Sequence, residues 1–242
     1  MDATSGKRHS RGVRADLEAT FGRHIDDLTR SDPFRRLESG EASRQEYDTF
    51  LANLIRSHAS SPPLIGFLYA LAPPAARADV LHNLLEELGL DDGVAHPAML
   101  GALAAGAGLT PVLPELERLA ELDLRQIASE PLLYGTLREV GLAALCEVVA
   151  FELMLSQVAR RIERFLADHR DLAPEALTWF SHHAEADIAH AEQGLAHIEA
   201  YVAHYGIGEE DAGTIIELTM RDNPFLKRYF RQVSPTTAPA AP

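Results

Sequence analysis

Cysteine is almost missing from this sequence. A single Cys146 in 242 residues excludes an internal disulfide framework and every metal site built on cysteine thiolates. Positive charge is also scarce. Lys and Arg number 22 against 36 Asp and Glu, for a formal net charge of −14. That balance argues against nucleic acid or an anionic membrane as a partner. No apolar run reaches the ~18 residues needed to span a bilayer. The opening MDATSGKRHSRG lacks the apolar core of a secretory signal, so a reduced, cytoplasmic setting is expected. No stretch alternates apolar and polar residues with period two, which excludes a sheet. Internal repeats and a domain-sized linker are missing as well.

What remains is helical periodicity and histidine, of which there are 11. Leu17, Phe21, Ile25 and Leu28 carry a first helix from about Val13 to Thr29. Ser43 with Glu46 reads as a capping box opening a second. A third runs from about Ala75 to Leu88 and stops at Gly89. A fourth starts near His96-Pro97, proline being welcome in a first turn. Residues 114–120 predict a short helix at most. Residues 130–168 form the longest candidate, apolar almost all round in its middle and therefore central and buried. Two more follow, one up to Tyr205 and one over 209–230 interrupted near Pro224. The expected architecture is all-α, a single-domain bundle of about seven or eight helices over residues 13–232. Residues 1–12 and the Pro/Ala-rich 233–242 are expected to be disordered.

One stretch concentrates metal-binding chemistry: WFSHHAEADIAHAEQGLAHIEAY, Trp179 to Tyr201. At about 100° per residue, Asp187 sits about 40° from His183 and His190 about 20° to the other side. Imidazole and carboxylate on one face suit iron, zinc or manganese, although a solvated polar face would look the same. The long helix adds Glu147 and Glu152 in CEVVAFELML. An ionised carboxylate there must be paired or hold a metal, and the two lie about 140° apart, so they do not serve one site together. On the third helix, Glu87 lies beside Val80 and Leu84, whereas Glu86 falls on the polar side with Asp79, His82 and Asn83. His96 follows after a turn. Three histidines with three carboxylates make a suitable shell for two iron ions. A ferritin-like site wants Glu-x-x-His on two helices, and only Asp187-x-x-His190 comes near it.

These residues resemble the heme-oxygenase-like diiron oxidases, whose fold is shared with the TenA thiaminases and the PqqC oxidase. Three stretches carry the resemblance. They are Asp32-Pro33-Phe34 through Leu37, Gly40 and Ser43 to Tyr47 and Phe50; Asn83-x-x-x-Glu87-Leu88-Gly89 with His96; and His183-x-x-x-Asp187-x-x-His190. The resemblance implies a heme-oxygenase-like fold and, position by position, the metal ligands Glu87, His96, Glu152, His183, Asp187 and His190. Glu152 is chosen over Glu147 on the family spacing, and Glu86 stays open beside Glu87. Some members add a carboxylate from the second helix. Ile55 to Tyr69 contains no Asp or Glu, so that ligand is absent, replaced, or supplied by His58.

The implied function is a diferrous, O2-dependent oxidase or oxygenase, with two Fe2+ as cofactor and O2 as co-substrate. The implied substrate is a small biosynthetic metabolite: an amine, amino acid or carboxylic acid undergoing N-oxygenation, C–C cleavage or desaturation. An external reductant and a homodimer are both compatible with it. Manganese in place of iron stays open. Two alternatives remain. One is a metal-free enzyme of the same fold, either a cofactorless oxidase or a thiaminase-type hydrolase with Cys146 as nucleophile. The other is a non-catalytic iron-binding helical module.

Overall fold

The computed structural model describes residues 12–90, 93–129 and 136–231. Within them every regular element is helical. In chain order these are α1 (Val13–Arg30), α2 (Asp32–Ser39), α3 (Arg44–His58), α4 (Ser61–Leu71), α5 (Arg77–Glu87), α6 (His96–Ala107), α7 (Leu113–Ser129), α8 (Leu137–Arg170), α9 (Thr178–Tyr205), α10 (Glu209–Met220) and α11 (Pro224–Tyr229). Nine of them have eleven residues or more. The all-α expectation holds, with more helices than the sequence periodicity separates. The disordered ends expected at 1–12 and 233–242 fall, apart from Gly12, outside the described residues.

Local chemistry explains where the helices begin. The Ser43 hydroxyl accepts from the Glu46 amide, and the Glu46 carboxylate accepts from the Ser43 amide. The predicted capping box is therefore present on α3. A second box, Thr136 with Glu139, opens α8. It places the start of the long helix at Leu137 rather than 130, and residues 130–135 are outside the described set. α7 is the main misjudgement: it extends through Ser129, well past the predicted Ala120. Much of α7 stays exposed, and its buried contacts run along one seam through Leu116 and Ala120.

α8 is the axis of the fold. Eighteen of its residues are buried, including Cys146, Met154, Phe165 and Leu166. By length and composition it contains an 18-residue window apolar enough to cross a membrane, contrary to the sequence expectation. Two thirds of that window is buried by other helices, as befits a core helix. Its largest partner is α9, and α1, α2, α3, α4, α7 and α10 cover the rest.

Close approach of α8 and α9 depends on Gly194. A Cβ built there would lie 2.5 Å from Val149 Cγ2, inside any ordinary contact. Gly141 is similarly tight against the Tyr201 hydroxyl. Gly194→Ala should therefore force the two helices apart, costing about 1–3 kcal/mol by overpacking. Chemical denaturation of the two proteins would show it; an unchanged midpoint would mean Val149 yields freely.

Candidate metal centre

α5, α6, α8 and α9 converge on a cluster of buried polar side chains. The connection from α5 to α6 matters most. Gly89 takes φ +67°, and a Cβ there would clash with the Ala95 backbone. The Gly89 amide closes on the Glu86 carbonyl and the Leu90 amide on the Leu85 carbonyl, both at 2.8 Å. This tight helix end turns the chain back, so the last residue of α5 meets the first of α6. Glu87 Oε1 and His96 Nδ1 are 3.1 Å apart.

His183 of α9 completes the first group. One ligand atom each from Glu87, His96 and His183 lie within 4.8 Å of one another, and all three residues are buried. The His96 and His183 rings stand edge to face at 4.8 Å. His183 Nδ1 lies 2.7 Å from the Trp179 carbonyl. A carbonyl only accepts, so Nδ1 carries the proton and Nε2 keeps its lone pair. Burial, then the neighbouring His96, pushes the His183 pKa well below the ordinary range. The ring is therefore neutral, as ligation requires. Ser61 donates to Glu87 Oε2 at 2.5 Å and fixes that carboxylate from the other side.

A second group lies beside it. His190 Nε2 is 2.8 Å from Glu86 Oε2, and its Nδ1 is 3.4 Å from Asp187 Oδ1. Asn83 donates to Glu152 Oε1 at 3.0 Å. Burial and then the Asp187 charge raise the Glu152 pKa to about 8. Burial also raises Asp187, to about 6, against the pull of His190. For His190, burial disfavours the cation, but the Asp187 hydrogen bond and the Glu152, Asp187 and Glu86 charges outweigh it. Its pKa reaches about 9. Protons thus hold four mutually close groups together.

All six residues singled out from the sequence converge here, sorted into two neighbouring groups. Glu86 joins them. The helical wheel placed it on the polar side of α5, read as the outer one, but that side faces α8 and α9. Asn83 binds Glu152 and Glu86 binds His190, while Leu81 and Leu88 are more than a third exposed. The contact of the half-buried Asn83 with Glu152 was the signal missing from the sequence. Glu147 points elsewhere, into an ion pair with Arg228. His58 does not join either group. Its Nε2 is 2.7 Å from the Tyr229 hydroxyl, and its ring packs on Trp179 at 4.8 Å.

A cavity of about 100 Å3, partly open to solvent, lies against the cluster. Glu87, Glu152, His183, Asp187 and His190 form its inner end. Leu64, Ile65, Leu124, Val148, Phe151 and Leu155 form apolar walls.

Residues 48–218, more than two thirds of the chain, match the family of heme-oxygenase-like, iron-containing redox enzymes. This protein belongs to that family. No curated protein matches it. The family shows a redox enzyme of the iron-containing class and agrees with the resemblance read from the motifs.

The donor set fits metal. It is oxygen and imidazole only, it is buried, and Asp187 Oδ2 has no hydrogen-bond partner among the described residues. A lone buried carboxylate oxygen facing histidines is an acceptor waiting for a cation. Metal binding at pH 7 should then release protons from Glu152 and His190, about two per chain. Calorimetric titration with Fe(II) or Zn(II) in buffers of different ionisation enthalpy would measure them. Glu152→Gln should release about one fewer. Its stability effect has a definite sign. A carboxyl pKa raised from 4.5 to about 8 leaves the group favoured in the fold only while neutral. The metal-free protein therefore loses stability as pH rises from about 4.5 towards 8. Metal-free Glu152→Gln should melt higher than wild type at pH 8, with the gap closing at pH 5.

Proposed function

We propose that this protein is a non-heme diiron, O2-dependent oxidase or oxygenase of a small metabolite. The observation that carries the reading is the division of the buried donors into two adjacent groups, each with imidazole and carboxylate. Glu87, His96 and His183 would hold one ion. Glu152, Asp187 and His190 would hold the other, with Glu86 in reach of His190. When bound, two ferrous ions would supply electrons and open positions for reducing O2.

The remaining work falls to the chain itself. The Trp179 carbonyl fixes the His183 tautomer and aims Nε2 inward. Ser61 and Asn83 orient Glu87 and Glu152 by donating to them. Glu152 and His190 give up their protons as the ion binds. The apolar walls keep bulk water from the reacting end. An oxygenation that places one oxygen atom in the product sends the other to water and draws two electrons from an external reductant. A cytoplasmic setting supplies such reductants and belongs to the same reading.

The thiaminase-type alternative needs a thiol nucleophile. Cys146 is fully buried, and burial pushes its pKa upward, the opposite of activation. It is not among the residues lining the cavity.

Anaerobic loading with Fe(II), removal of loose metal and iron analysis tests the proposal. About two irons per chain are expected, followed by a transient visible band on exposure to O2. His183→Ala and Asp187→Ala should each lower the iron content. Failure of the wild-type chain to retain iron would overturn the reading.

A further inference from the structure

A smaller pocket of about 30 Å3 lies against the centre, between α5, α8 and α9. Its polar lining is Asp79 and Asn83 from α5, Glu152 from α8, and His190, Gln193 and His197 from α9. Glu152, His190, Ile65 and Val148 also line the cavity described above, so they form the partition between the two spaces. The polar residues follow helical spacing. Asp79 and Asn83 are one turn apart, and His197, Gln193 and His190 step inward along α9. At about 1.5 Å per residue, the path from His197 to His190 is about 10 Å long. At the outer end His197 Nε2 lies 3.2 Å from Asp79 Oδ2, with the Asp79 side chain half exposed and that of His197 mostly covered. At the inner end Asn83 donates to Glu152 Oε1 at 3.0 Å.

This pocket suits a divalent cation better than the cavity does. Its polar residues offer oxygen or imidazole nitrogen, donors that iron and manganese accept. No Lys or Arg is among the described residues that line it. The outer end of the cavity instead carries two guanidinium–carboxylate pairs, Arg56 with Asp123 and Arg228 with Glu147. Those carboxylates are already neutralised, whereas Asp79 meets an imidazole. The net charge of −14 draws cations to the surface in general, and the Asp79–His197 pair offers that attraction two metal-binding atoms. The pocket is narrow, with room for about two water molecules in file. A fully hydrated ion is larger than that, so it must exchange water for side-chain donors on the way in. The ladder of polar residues supplies them one turn at a time.

We propose that this pocket is the loading route of the metal centre. Asp79 and His197 capture a divalent cation from solvent, the amide oxygens of Asn83 and Gln193 pass it inward, and it arrives at Glu152 and His190. The route rests on the metal reading of those last two residues. Asn83 keeps its oxygen for the ion because its amide nitrogen is committed to Glu152. Capture is transient, since two protein donors leave most of the coordination shell to water. The cavity is then left to the organic substrate, and the centre can be refilled while the cavity is occupied.

The test mixes the metal-free full chain with Co(II) by stopped flow and follows the growth of the Co(II) visible band. Final content is measured by metal analysis after anaerobic loading with Fe(II). Asp79→Asn combined with His197→Ala should load at least about tenfold more slowly, within the range that electrostatic steering commands, and reach the wild-type content. His197→Asp, which keeps a metal donor at the mouth, should load near the wild-type rate, a contrast that misfolding cannot imitate. His82→Ala is the control for a rival way in, because His82 Nε2 lies 3.6 Å from Glu86 Oε1. Slowing in His82→Ala alone would place entry at Glu86 and overturn the route. Slow loading of His197→Asp, or a lower final content at an unchanged rate, would overturn it too. A wild-type rate in the double variant, with two irons retained, would overturn the route and leave the diiron reading intact. Loading that depends on the pair but stops at a single ion would support the route and remove the diiron reading. A chain that takes up no metal would remove both.

Discussion

The structure turns on the cost of burying carboxylates. Glu87 and Asp187 are at most 7% exposed, and Glu152 sits on the most buried helix of the fold. An ionised carboxylate in such surroundings must be paired, protonated or bound to a cation. Here the metal-free chain uses all the means it has: a serine hydroxyl on Glu87, an asparagine amide on Glu152, and a shared proton between His190 and its two carboxylates. Such an arrangement is poor for stability and well suited to function. The helices around it supply the offset. α8 buries eighteen residues, and at its far end Phe165 packs edge to face with Phe34 and at a tilt with Tyr47 and Phe50.

The same constraint explains why the helices are joined as they are. Four elements must deliver donors to one place. α9 does so by periodicity alone, with His183, Asp187 and His190 along one face. α8 delivers one residue, because a second carboxylate on that face would add charge without a partner; Glu147 is turned to Arg228 instead. α5 and α6 deliver theirs through the left-handed Gly89, which no residue with a side chain would adopt against Ala95.

Much of this was legible in the residues. The spacing within α9 fixed a shared face without any knowledge of neighbours. The capping box at Ser43 and the stop at Gly89 were readable because their geometry is local. The family motifs linked Glu87 to His96 and brought in Glu152, which the spacing of the long helix alone left equal to Glu147. The sequence was less informative about α5. Its apolar stripe suggested that Leu81 and Leu88 point inward, and that Glu86 points out. Periodicity records only which residues share a side, and a buried polar site makes the polar side the inner one. α7 was underestimated although Leu116, Ala120 and Leu124 recur at helical spacing; Ala120 and Leu124 line the cavity.

The cavity takes one of its lining residues, Arg228, from the last described helix. Asn53 donates to the Tyr229 and Arg231 carbonyls, and Asn223 to that of His24. These links span 176, 178 and 199 residues. Contacts so distant along the chain form late, because closing a long loop costs entropy before any contact repays it. Every candidate ligand, through His190, precedes Arg228 in the sequence. The cavity therefore gains its Arg228 wall only when α11 docks against the rest of the bundle.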